Sequence, residues 1–255
     1  MKGHPARVLV FSFVLSLSGA AALAPAEQIS ATKATYPANI PPTHFVQIEA
    51  FDFSRILPAP PTPDSLAAKA DLEAVLQVQA WRTTEQVVWA KLVDEKIRSV
   101  LMSADVEILG PWFAPEKFPE IVVLTSAVVA DVTSVALAAK NVHHRLRPFA
   151  ADERVHPCVG RPANGSYPSG HTAIAFAWAA TMTELFPGKR AEFAERAHRI
   201  AWGRVIGGVH FPTDLEGGRL LAAAIMAEMN KSDAFRAAVE RCRTEINPLF
   251  VKKAA

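Results

Sequence analysis

From Thr62 onward the apolar residues of this chain recur at helical spacing, and no stretch alternates apolar with polar as a half-buried strand would. Helices of this kind must bury their apolar stripes on one another. Local signals mark where they break. Thr62-Pro63-Asp64 supplies a cap and first turn for a helix carrying Leu72, Val75 and Leu76. Thr83 with Gln86 forms a capping box ahead of Trp89, Leu92, Val93, Ile97, Val100 and Leu101. After a loop at Gly110-Pro111 and Pro115, Pro119 opens a long helix over 121–139. Further helices are predicted over 171–186, 190–206 and 212–229, and Ser232 caps a last amphipathic one. The expected fold is all-α, a single-domain helical bundle.

The start of the chain reads differently. Residues 1–24 have the pattern of a secretory signal peptide: Lys2 and Arg7, an apolar run over 8–17, then small residues at Ala22-Leu23-Ala24 or Ala24-Pro25-Ala26. Residues 25–61 are broken by Pro37, Pro41, Pro42, Pro58, Pro60 and Pro61, which predicts an extended lead-in, packed over 45–57, before a helical domain over 62–250. Lys2 and Arg7 account for the whole formal charge of +2, so the exported chain is balanced. Bulk charge therefore argues against a nucleic-acid or membrane-surface binder, and any anion recognition must come from local clusters. A periplasmic or secreted location permits a disulfide between Cys158 and Cys242, with two free thiols as the equal alternative. The helix over 121–139 is long enough to span a bilayer, but Thr125, Ser126, Asp131, Thr133 and Ser134 favour a buried central helix. No stable membrane span is expected after signal removal.

Chemistry concentrates between Lys140 and Asp214. Asn164-Gly165 is a turn signal, and Ser169-Gly170-His171 opens an apolar helix, whose free N–H groups and dipole suit an anion. Phe193, Ala197, Ile200 and Ala201 define the apolar face of the next helix, and at about 100° per residue Arg204 falls on that face. An inward cation is costly unless it is paired or faces a site. Lys140 and Arg147 are spaced to project from one side of a helix end, which Pro148 terminates. Pro212 places Asp214 in a first helical turn with His210 just before it, so the carboxylate can hold one imidazole nitrogen and free the other as nucleophile or base. His143, His144, His156 and His198 read as surface or loop residues.

Taken together, Lys140 with Arg147-Pro148, Pro168-Ser169-Gly170-His171, and Arg204 with His210 and Asp214 resemble a three-part phosphatase signature. Type 2 phosphatidic acid phosphatases, bacterial class A non-specific acid phosphatases and vanadium-dependent haloperoxidases share it. The likeness runs loosely over 57–229 and is greatest to the class A acid phosphatases, through Gly165-Ser166-Tyr167, Arg147-Pro148-Phe149 and the stretch from Arg204 to His210. The family usually has Ser before the last motif's Arg; Gly203 stands here, and a looser Arg204 is the expectation.

The resemblance implies a helical bundle of the acid phosphatase and haloperoxidase type, acting on small phosphomonoesters without a cofactor or metal. It implies catalysis by His210, His171 and Asp214. Lys140, Arg147 and Arg204, with the backbone N–H groups of Ser169 and Gly170, would bind phosphate. His210 would attack phosphorus, His171 would protonate the leaving group, and Asp214 would orient His210. Vanadate-dependent halide oxidation and lipid phosphate hydrolysis are the rival activities, and a non-catalytic phosphate binder is the rival of another class. A homo-oligomer is left open.

Overall fold

The computed structural model describes residues 40–251, which fall within one compact unit. The proposed signal peptide and the first part of the lead-in lie outside the described residues. Nine α-helices follow in order: α1 (Phe53–Ile56), α2 (Leu66–Trp81), α3 (Thr84–Leu109), α4 (Pro119–His143), α5 (Pro148–Ala151), α6 (Gly170–Leu185), α7 (Arg190–Ile206), α8 (Pro212–Met229) and α9 (Asp233–Val251). No strand occurs among the described residues, and the protein is all-α.

The cap chemistry explains most boundaries. Thr83 and Gln86 make the expected reciprocal capping box at α3. Pro119 and Pro212 occupy the first turns of α4 and α8, where a missing N–H costs nothing. At α2 the expectation needs correcting. Thr62 forms a preceding turn by accepting from Ser65, and Ser65 is the true cap, its hydroxyl accepting from the N–H of Ala68. α3 also bends at Lys96, whose backbone leaves the helical region.

α6 is the axis of the bundle. Its sequence is apolar nearly all round and rich in alanine, so α4, α7 and α8 can each pack closely against it. Trp178 and Met182 of α6, Phe193 and Ile200 of α7, and Leu221 and Ile225 of α8 are buried together with Val128, Val132 and Val135 of α4. Two glycines set how near α8 comes to the start of α6. A Cβ on Gly218 would lie 2.5 Å from the Ser169 carbonyl oxygen, and one on Gly217 would lie 2.4 Å from the Tyr167 ring. A smaller cluster, with Val75, Val155, Val205 and Phe211, draws α2 against the α7–α8 junction.

Two buried polar residues of α4 hold the lead-in. Asp131 accepts from the backbone N–H groups of His44 (2.6 Å) and Phe45 (2.8 Å), and Ser134 donates to the Pro41 carbonyl (2.9 Å). Val46, Phe51, Phe53 and Leu57 bury their side chains, one of them, Phe53, in a short helical turn rather than extended chain. By length and composition the stretch Pro119–Ala151 could cross a bilayer: its most apolar window has mean hydropathy 2.1, and 56% of that window is buried inside the protein.

The cysteines remain apart. Cys242 is buried in the α9 interface, Cys158 sits in the loop beside Ile206, and both are free thiols. The disulfide that the sequence left open does not form.

Candidate active site

Three inter-helix junctions meet at one cavity of about 200 Å³, lined by Lys140, Arg147, Gly170, His171, Arg204 and His210, with Leu137, Pro162 and Ile174 among its apolar walls. Each polar residue arrives for a local reason. α7 ends at Ile206, and Gly208, at φ +73°, turns the chain back so that His210 precedes α8. Asp214 is in the first turn of α8 and accepts from the N–H of Phe211 (2.8 Å).

His210 is 2% exposed and Asp214 fully buried. His210 Nδ1 lies 3.3 Å from Asp214 Oδ2, and Nε2 lies 3.2 Å from Arg147 Nη1. A guanidinium only donates, so Nε2 carries the lone pair and Nδ1 the proton. Burial, and then the cations Lys140, Arg147 and Arg204, hold the imidazole well below its ordinary pKa.

The cations come from separate elements. Lys140, in the last turn of α4, donates to the carbonyls of Gly165 (2.8 Å), Ser166 (3.3 Å) and Pro168 (2.7 Å). Three acceptors require the ammonium form; burial, followed by Arg147 and Arg204, lowers its pKa to about 7. Arg147 does not share a helix face with Lys140. α4 stops at His143, His144 takes a left-handed conformation at φ 44°, and Arg147 is extended ahead of Pro148. From there its guanidinium is clamped by Asn164, through Oδ1 (2.7 Å) and the carbonyl (2.9 Å), and by the Val209 carbonyl (2.8 Å).

Arg204 is 1% exposed. Its Nη2 pairs with Asp94 Oδ1 of α3 at 2.8 Å, while Nε and Nη1 have no protein partner. Buried donors of this kind are rare unless a ligand or an ordered water satisfies them. The expectation that Gly203 loosens this arginine is corrected by the packing. A Cβ there would make ordinary contact with Trp89 Nε1 at 3.4 Å, and the same helix, α3, supplies the Asp94 that holds Arg204.

His171, in the first turn of α6, faces the cavity. Burial, then Arg204, His210, Arg147 and Lys140, push its pKa well below the usual value. Ser169 departs from the role expected of it. Its N–H donates to the Asp214 carbonyl (3.0 Å) and its fully buried hydroxyl accepts from Thr172, so it caps α6 and ties it to α8. Gly170 lines the cavity at the helix start, where first-turn N–H groups have no intrahelical acceptor.

Several contributors escaped the sequence reading: Asp94, Arg145, Asp71, and Ser166, whose hydroxyl donates to Asp214 Oδ2 at 2.5 Å. The Asn164-Gly165 turn pointed to the loop but not to its hold on Arg147. Among the other histidines, His144, His156 and His198 are exposed; His143 is half-buried, edge-on to Tyr167, with Nε2 unpaired.

Comparison with known proteins follows the same residues. Positions 120–236, which contain every expected site residue, match the PAP2 superfamily. The non-specific acid phosphatase of Providencia stuartii is 28% identical over 207 residues, covering 79% of this chain and 83% of its own. That of Salmonella typhimurium is 28% identical over 225 residues, covering 84% and 88%. Among solved structures, a bacterial vanadium-dependent chloroperoxidase overlays with a TM-score of 0.61 at 15% identity, a likeness of fold. The overlay covers 78% of this chain and about half of the peroxidase (55%). Residues 120–236 thus match the PAP2 superfamily, and over most of its length the chain is similar in sequence to non-specific acid phosphatases.

Proposed function

We propose that this protein is an exported acid phosphatase that hydrolyses phosphate monoesters of broad specificity through a phosphohistidine intermediate. One observation carries the reading: two buried, unpartnered donors of Arg204 share a cavity with Lys140, Arg147, His171 and the lone-pair nitrogen of His210. That is an anion site with a nucleophile behind it.

Phosphate takes up the Arg204 donors and the first-turn N–H groups at Gly170, with Lys140 and Arg147 supplying charge. His210 Nε2 attacks phosphorus, Asp214 steadies the Nδ1 proton, and the bond to the leaving oxygen breaks. His171 protonates that oxygen. Water then attacks the phosphohistidine, giving a proton to His171 as the N–P bond breaks. Charge spread over the non-bridging oxygens makes this convergence the main catalytic term, with each donor worth roughly 3–4 kcal/mol.

The pKa directions favour activity in acid. Lys140 is charged below about 7. His171 starts neutral in the unliganded site, and low pH or the bound phosphate's own charge is needed to protonate it. Export rests on the signal-like residues 1–24. The direct test is His210→Ala with an aryl phosphate: phosphate release should fall by several orders of magnitude, and unchanged turnover would refute the assignment. Bromide oxidation with vanadate and peroxide, if it exceeded hydrolysis, would favour the haloperoxidase alternative.

A further inference from the structure

Behind Asp214 lies a second set of charges that hydrolysis does not use directly. Arg145, in the connection between α4 and α5, has one guanidinium nitrogen 2.6 Å from Asp214 Oδ1 and 2.7 Å from Thr213 Oγ1. Its other terminal nitrogen lies 2.7 Å from Asp71 Oδ2 of α2. Asp71 also accepts from the N–H of Thr213 (3.2 Å) and from its hydroxyl. The guanidinium stacks 4.2 Å over the Phe211 ring. Both carboxylates are buried, and the arginine is nearly so.

We propose that Arg145, braced by Asp71 and Thr213, is a positioning residue for the reaction: it fixes the Asp214 carboxylate against His210 and cancels the charge which that carboxylate would otherwise place beside the imidazole. This rests on His210 being the nucleophile. An unshared carboxylate next to a histidine favours the protonated ring, which cannot attack phosphorus. Here Asp214 Oδ1 is spent on Arg145, and Oδ2 is shared by Ser166, the Phe211 N–H and His210. The other groups around His210 are Lys140 of α4, Arg147 before α5, His171 of α6, and Arg204 of α7 paired with Asp94 of α3. Tyr167 commits its hydroxyl to the Pro58 carbonyl. Among the described residues Asp214 is thus the one carboxylate in contact with the ring, and Arg145 sets how much of its charge the ring feels.

The experiment compares wild type, Arg145→Gln, Arg145→Lys and Asp71→Asn by the pH dependence of kcat/KM and by NMR titration of the His210 ring. In Arg145→Gln the acid limb and the His210 titration should both move upward by roughly one pH unit, and Arg145→Lys should restore most of the shift. Asp71→Asn leaves Arg145 to Asp214 alone, so it should not raise either value. A folded Arg145→Gln with lower Tm and an unmoved His210 titration overturns the proposal in favour of a purely structural strut. If Arg145→Gln fails to fold, an upward movement in Asp71→Asn overturns it instead. Absence of hydrolysis by the wild type would sink the phosphatase reading while leaving the NMR comparison intact.

Discussion

His171 and His210 face one cavity and both are held below their ordinary basicity, yet the proposed reaction asks opposite things of them. His210 must stay neutral in it, and Arg147 and Asp214 hold the ring in the tautomer that leaves Nε2 unprotonated. In that reaction His171 must gain a proton against burial and the neighbouring Arg204, Arg147 and Lys140, which low pH or a bound anion would offset. Replacing His171 with alanine should therefore cut kcat by roughly 10²–10⁴ for esters with poor leaving groups and far less for aryl phosphates with good ones. Equal losses on both substrates would contradict the acid role. At this scale the sequence was legible where a side chain broke a local rule, as Arg204 does by falling on an apolar face. It was silent on Asp94, Arg145 and Asp71, whose importance lies in what they meet across the fold.

The helices bring the site together by how closely they approach. α8 reaches the start of α6 only because Gly217 and Gly218 leave room for Tyr167, the Ser169 carbonyl and Thr172. Gly218→Ala would put a methyl against backbone that cannot swing aside. It should cost about 1–3 kcal/mol of stability and lower kcat by shifting His171 relative to His210. Thermal melts and steady-state kinetics check this; a variant with native Tm and native kcat would show that the contact is slack. Helix boundaries were readable wherever proline or a capping box set them. The α4–α5 connection was not, because heptad spacing cannot reveal that the helix ends at His143 and that Arg147 is recruited by Asn164 instead.

For the molecule as a whole, the proposed site is a cost that bound phosphate would relieve. Both histidines titrate lower in the folded chain than their usual 6.5, so the unfolded chain binds more protons as pH falls below that value. Their contribution to stability is therefore full above pH 6.5 and is lost progressively in acid. Inorganic phosphate at a hundredfold excess over its Kd should add about 2.7 kcal/mol, or roughly 5–10 °C in Tm. At fixed phosphate the gain should grow as pH falls from 8 towards 5, since the bound anion favours the charged imidazoles and Lys140. A gain that is absent, or that is larger at pH 8, would contradict the assignment of this cavity as the anion site.

By itself the amino-acid sequence determined that the chain is helical and where most helices begin, and it singled out the polar residues that line the candidate cavity, because caps and periodicity act over a few neighbouring residues. Only the tertiary structure decided that Ser169 caps rather than binds, that Cys158 and Cys242 stay apart, and that Asp94 and Arg145 complete the charge balance. Those outcomes depend on pairings between distant segments, and pairings of that kind are fixed by how helices pack rather than by any local pattern.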